Sequence, residues 1–199
     1  MIQSGGAAMV QRTRNATYQD LLDAPEHSNA ELIDGELFLH ASPRLIHQHI
    51  GAALQVVLGD AFWFGRSGPG GWIIITNPDV HLVLKKRVLV PDLAGWKQEN
   101  APDCSSDDVS TSTTPDWVCE ILSPTTRRHD LIRKRPLYAE HGVPWLWLID
   151  PDARLLEVYR REANGYLMLT TYDVDEGKIR APPFEAIELD LKIIWPLPK

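Results

Sequence analysis

Two apolar runs and the segment between them leave this chain the fewest choices of fold. Asp116-Trp117-Val118-Cys119-Glu120-Ile121-Leu122 and Pro144-Trp145-Leu146-Trp147-Leu148-Ile149 are both of strand length. The second has no polar break, as a strand buried on both faces requires. Between them Ser123-Pro124 ends the first strand, a helix is predicted from about Arg128 to His141, and Gly142 stands at its C′ position. Strand, helix, strand implies a parallel pair joined by a right-handed crossover. Pro136, inside the helix, predicts a kink.

The rest of the chain supplies strands and one long helix. Thr17, with Asp20 at the reciprocal position, caps a short helix to Leu22. Glu31 to Leu39 reads as two short strands about an Asp34-Gly35 turn. Ser42-Pro43 signals the start of a helix with apolar residues at Ile46, Ile50, Leu54, Val57 and Ala61, ending near Gly65. Trp72–Thr76, Val80–Leu84 and Val88–Trp96 alternate as three strands, most simply joined as a meander, and Lys97 to Thr114 is a polar surface loop. Leu155–Arg160 and Tyr166–Tyr172 flank Asn164-Gly165 as a hairpin, and one or two short strands follow to Trp195. The expected fold is α/β (α+β), a mixed central β-sheet flanked by helices with additional N- and C-terminal β-hairpins. Residues 1–16 form a flexible N-terminal arm and residues 17–199 a single domain.

Charge and cysteines narrow the function classes. With 20 Lys and Arg against 27 Asp and Glu the net charge is −7, which argues against coating nucleic acid by bulk electrostatics. An enzyme that cuts nucleic acid remains open, because local carboxylates that hold a divalent cation make the charge more negative. No apolar run reaches the roughly 18–20 residues of a spanning helix. The two cysteines make neither a CxxC pair nor a disulfide framework, so a reduced cytoplasmic location is expected, with Cys119 a buried, inert thiol.

One carboxylate, Glu120, interrupts a run otherwise fit for a central strand, and a second, Asp92, follows Pro91 inside another. A lone buried acid is expensive and must be neutral, paired or open to a cleft. If the two strands are neighbours and the acids share a face, they converge and repel unless a divalent cation lies between them.

The constellation Pro91-Asp92, Pro115 to Thr125, Asp130, Lys134, Tyr138, Gly142-Val143 and Trp147 to Pro151, with Glu31 to Glu36 and His47 upstream, resembles the Uma-two family of restriction endonuclease-like proteins. That family belongs to the PD-(D/E)xK nuclease superfamily. The resemblance, over roughly residues 17 to 160, implies a catalytic set of Asp92, Glu120 and Lys134, with Asp92 and Glu120 binding Mg²⁺ or Mn²⁺. The position two after Glu120, where the superfamily usually carries its lysine, is Leu122, and Lys134 on the following helix matches it instead. Glu36, and less directly Glu31, is a candidate third metal carboxylate; His47, Arg127 and Arg128 are candidates for contacting substrate. Asp130 reads as a local partner of Lys134, and Tyr138 as a packing residue. The implied partner is DNA, double-stranded for preference, with a homodimer supplying one site per strand. Two rivals stand beside this: a catalytically inactive nuclease-like binding or assembly protein, and a hydrolase of another phosphate ester.

Overall fold

In the computed structural model, which describes residues 11–25 and 28–196, local alternation and turn chemistry distribute the strands over two six-stranded sheets and a two-stranded one. The chain opens with β1 (Gln11–Arg14), α1 (Tyr18–Leu22), β2 (Asn29–Ile33) and β3 (Glu36–His40). Thr17 and Asp20 form the reciprocal cap expected of them. Asp34 and Gly35 both take positive φ, 48° and 82°, the pair that a two-residue hairpin turn demands. The first sixteen residues are not all a free arm. Gln11–Arg14 pair with β3, and Ala16 is buried with its N–H on Gly35 O; residues 1–10 of the expected arm lie outside the described residues.

Helix α2 (Leu45–Leu58) starts three residues after Ser42. Arg44 is still extended, with ψ 155°, and its side chain is drawn to Asp152 instead of capping the helix. A wider turn, Gly59–Trp63, prolongs it, with Phe64 N–H bonding back to Gly59 O.

The next four strands are β4 (Trp72–Thr76), β5 (Asp79–Val83), β6 (Arg87–Leu89) and β7 (Leu93–Lys97). The expected meander does not form: β4 pairs with β7, whereas β5 pairs with β6 in the other sheet. The reason lies in Pro91, which has no N–H for a ladder and splits Val88–Trp96 in two. The break carries the chain from one sheet to the other and puts Asp92 at the seam.

After β8 (Ser110–Thr111) comes β9 (Trp117–Ile121), then a helical segment, 127–140, and β10 (Trp145–Asp150). β9 and β10 are parallel, with Glu120 opposite Leu148, so the strand–helix–strand unit is as expected. The helix itself is α3 (Arg127–His129), a π turn (Asp130–Lys134) and α4 (Arg135–Glu140). Pro136 accounts for the interruption: without an N–H it cannot close the i→i−4 ladder, and Arg135 N–H reaches back five residues to Asp130 O. β11 (Leu155–Glu162) and β12 (Gly165–Asp173) form the late hairpin, followed by β13 (Lys178–Ile179), β14 (Leu189–Asp190) and α5 (Leu191–Ile194).

One large sheet runs β1-β3-β2-β6-β5-β8 and the other β12-β11-β10-β9-β7-β4; the latter is the expected mixed central sheet, with β9 and β10 parallel and a helix packed on each face. The second is the core of the molecule. Trp117, Cys119, Ile121 and Trp147 on one face meet Ile50, Leu54 and Leu58 of α2. Val118, Leu146 and Leu148 on the other meet Leu137 and Tyr138 of α4 together with Phe38, Val80 and Leu89 of the first sheet. The helix 127–140 therefore lies between the sheets, above the seam.

Candidate active site

Alternation along β9 decides where its acid points. Trp117, Cys119 and Ile121 share the α2 side, so Glu120 falls with Val118 under α4, only 2% exposed. There Tyr138 O–H donates to Glu120 Oε1 at 2.6 Å and Lys134 Nζ donates to the same oxygen at 2.8 Å. Lys134 also donates to Val90 O and to Glu31 Oε1, both at 2.9 Å. Asp92, one residue before β7, accepts from the Ile121 N–H at 2.6 Å, and His47 Nε2 of α2 lies 3.1 Å from the same oxygen, Asp92 Oδ2. Asp130 completes the group, its Oδ1 4.0 Å from Lys134 Nζ. A cavity of about 330 Å³ opens onto Glu31, His47, Asp92, Glu120, Asp130 and Lys134.

Four carboxylates around one buried lysine are more negative charge than the lysine can balance, and Glu120 and Asp130 are shifted accordingly. Burial pushes the Glu120 carboxyl well up; Lys134 pulls the other way, while Asp92, Asp130 and Glu31 add to the rise. Burial likewise raises Asp130, which Lys134 opposes and Asp92 and Glu31 reinforce, to about 7. Burial alone would discharge Lys134, yet Glu120, Glu31, Asp130 and Asp92 together hold its ammonium protonated well above the ordinary lysine range. Such a wall fits a divalent cation, which would relieve repulsion that protons otherwise relieve; all-oxygen donors suit Mg²⁺ or Mn²⁺.

Glu31 differs. Burial would raise it too, but Lys134, His129 and His40 outweigh the desolvation and hold it well below the usual carboxylate range. Its Oε1 accepts from the Val90 N–H at 2.9 Å and from Lys134, while Oε2 lies 2.6 Å from His129 Nε2 and 3.1 Å from His40 Nε2. Burial pushes the His129 imidazole down despite Glu31. The thiol of Cys119 is buried and raised, chiefly by desolvation, as an inert core cysteine should be.

Asp92, Glu120, Lys134 and His47 are thus brought together. Glu36 is not: it lies outside the cavity, ion-paired to Arg12 and 3.8 Å from Arg133, whereas Glu31 lines the cavity. Hairpin register is the reason, and it was available to sequence reasoning. With Ile33 opposite Glu36 and Glu31 opposite Phe38, all four side chains share one face, and Glu36 sits at the exposed turn end while Glu31 is two residues deeper. Arg127 and Arg128 do not line the cavity either. Arg127 bonds to Asp150 beside an adjoining depression that shares Ser123 and Pro124, and Arg128 is exposed. Sequence reasoning missed His40 and His129, and it gave Asp130 and Tyr138 only local roles; a one-turn spacing from Lys134 to Tyr138 was the available hint.

A family model described as "Uma2: Putative restriction endonuclease" matches residues 16–192. Among solved structures, the chain is similar to a crystal structure described as a putative nuclease belonging to DUF820 from Anabaena variabilis. The TM-score is 0.68 at 22% identity, covering 89% of this chain and 96% of that one, a likeness that establishes the nuclease-like α+β fold. No curated protein matches the chain. Among the described residues no helix is long and apolar enough to cross a membrane.

Proposed function

The chain belongs to the Uma2 family, described as putative restriction endonucleases, and from that premise we propose that it hydrolyses DNA phosphodiester bonds with a divalent cation, Mg²⁺ or Mn²⁺, held by Asp92 and Glu120. The observation that carries this reading is the surplus of buried carboxylate around Lys134 at the floor of an open cavity. When bound, the cation supplies Lewis-acid polarisation of the scissile phosphate. Lys134 stays an ammonium near neutral pH, so it acts as a fixed donor to the charge developing on the phosphate and not as a base. Tyr138 holds Glu120 and the Ile121 N–H holds Asp92, which spares both acids reorganisation as charge develops. His47, beside Asp92 on the cavity wall, is placed to contact the substrate.

Purified wild type and Glu120→Gln, incubated with supercoiled plasmid and with single-stranded DNA under Mg²⁺, Mn²⁺ or EDTA, test the reading. Cutting by wild type that needs the cation and disappears in the variant is the expected result. Cutting that persists in the variant puts the chemistry elsewhere. A wild type that binds Mn²⁺ but cuts nothing supports a binding or assembly role instead. A cavity of about 330 Å³ is also large enough to admit a small phosphate ester. Competition by nucleotides against linear DNA separates a smaller phosphate ester from a polymer.

A further inference from the structure

We propose that Glu31, His40 and His129 form a second metal site, separate from Asp92 and Glu120 and built for a transition-metal dication of the Zn²⁺, Co²⁺ or Mn²⁺ class. Their ligand atoms lie within 4.8 Å of one another, and all three residues are buried or nearly so. Two imidazoles and one carboxylate are the donor set that selects such ions over Mg²⁺ and leaves a coordination position open.

The division of labour between the two oxygens of Glu31 is the strongest support. Oε1 is tied down by the Val90 N–H and by Lys134, the kind of outer hydrogen bonding that orients a monodentate carboxylate ligand. Oε2 meets the two Nε2 atoms, and no other bond to it is formed among the described residues. A second observation concerns His40, whose side chain is only 9% exposed, so that its Nε2 is kept largely out of bulk water and beside Oε2.

The spacing is close to what coordination needs. In a tetrahedral site with bonds of about 2.0–2.1 Å, ligand atoms stand about 3.3 Å apart. His40 Nε2 is already 3.1 Å from Oε2, while His129 Nε2, at 2.6 Å, must draw back by about 0.7 Å. The hairpin supplies two ligands and α3 the third, so the ion would pin the helix that carries Lys134 to the first sheet. Glu31 and His40 also face the cavity, which gives the ion a way in and leaves its open position toward solvent.

Cobalt(II) titration followed by ligand-field absorption tests the site without reference to cleavage, so its outcome is independent of the proposed nuclease activity. Wild type and Asp92→Asn should both bind Co²⁺ with the absorption of a low-coordinate nitrogen–oxygen site, and His40→Ala should bind there more than about 100-fold more weakly. His40→Cys should restore binding and add a thiolate-to-cobalt charge-transfer band, a signature that neither a folding defect nor a purely structural histidine produces. Identical titrations of wild type and His40→Ala overturn the proposal. So does an Asp92→Asn variant that binds no Co²⁺ while remaining folded by circular dichroism.

Discussion

Glu31, from the first sheet, and Glu120, from the second, line one cavity, are both buried, and lie 2.9 and 2.8 Å from the same lysine nitrogen, yet their carboxyls are shifted in opposite directions. The difference is in the company each keeps. Glu31 has a backbone N–H and the ammonium on one oxygen and two imidazoles at the other, which together hold it as an anion. Glu120 has the ammonium and one phenol, and faces Asp92 and Asp130. Burial is therefore not what marks a carboxylate for function. What sets Glu120 and its neighbours apart is charge left uncompensated by the fold, which an external cation can then compensate, whereas Glu31 is held ionised beside two histidines.

The largest effect expected from this contrast is on stability. Glu31→Gln should cost about 3–5 kcal/mol in denaturant unfolding, because it takes the charge from a buried, partnered anion. A loss below about 1 kcal/mol would erase the distinction between the two acids.

Proton competition comes next. Asp130, raised to about 7, and Glu120, raised also, hold protons that a cation at this wall must expel. Mn²⁺ affinity measured calorimetrically should therefore strengthen as pH rises through about 7, by up to about tenfold per pH unit for each proton displaced. For folding the same raised carboxyls have a fixed sign. The native state binds each proton more tightly than the unfolded one, so the contribution is present at the acid end and is lost with rising pH, for Asp130 as pH rises through about 7. Asp130→Asn should flatten the Mn²⁺ profile, and an unchanged slope would remove Asp130 from the account.

Smaller still is the stability change for Glu120→Gln, expected within about 1 kcal/mol because relief of repulsion offsets the lost ion pair. Mn²⁺ binding at this wall should disappear at the same time. If Glu120→Gln unfolds as readily as Glu31→Gln, both acids are structural. The smallest effect belongs to Glu36→Gln, about 0.2–1 kcal/mol for an exposed ion pair, with unaltered Mn²⁺ binding; any loss of binding would restore Glu36 to the site.

Much of this was legible along the chain. The capping box at Thr17, the Asp34-Gly35 turn, the strand–helix–strand unit and the acid inside Trp117–Leu122 follow from signals a few residues long, and Asp92, Glu120 and Lys134 do meet. Pro91 is as easily seen as the neighbour of an acid as the break that divides a strand between two sheets, and that break is what replaces the expected meander. Glu36 stands out in a sequence because it adjoins a turn, whereas the depth within the hairpin that brings Glu31 to the cavity does not show.

The sequence by itself determined the elements, because periodicity, caps and turn chemistry act through neighbours, and it determined which residue types could carry the chemistry. Only the tertiary structure decided which acid is held ionised and which is left in surplus. His129 and Glu31 are 98 residues apart, Lys134 and Val90 44. Desolvation and Coulomb interactions depend on distance in space, and no local pattern encodes the distances that packing two sheets around one helix creates.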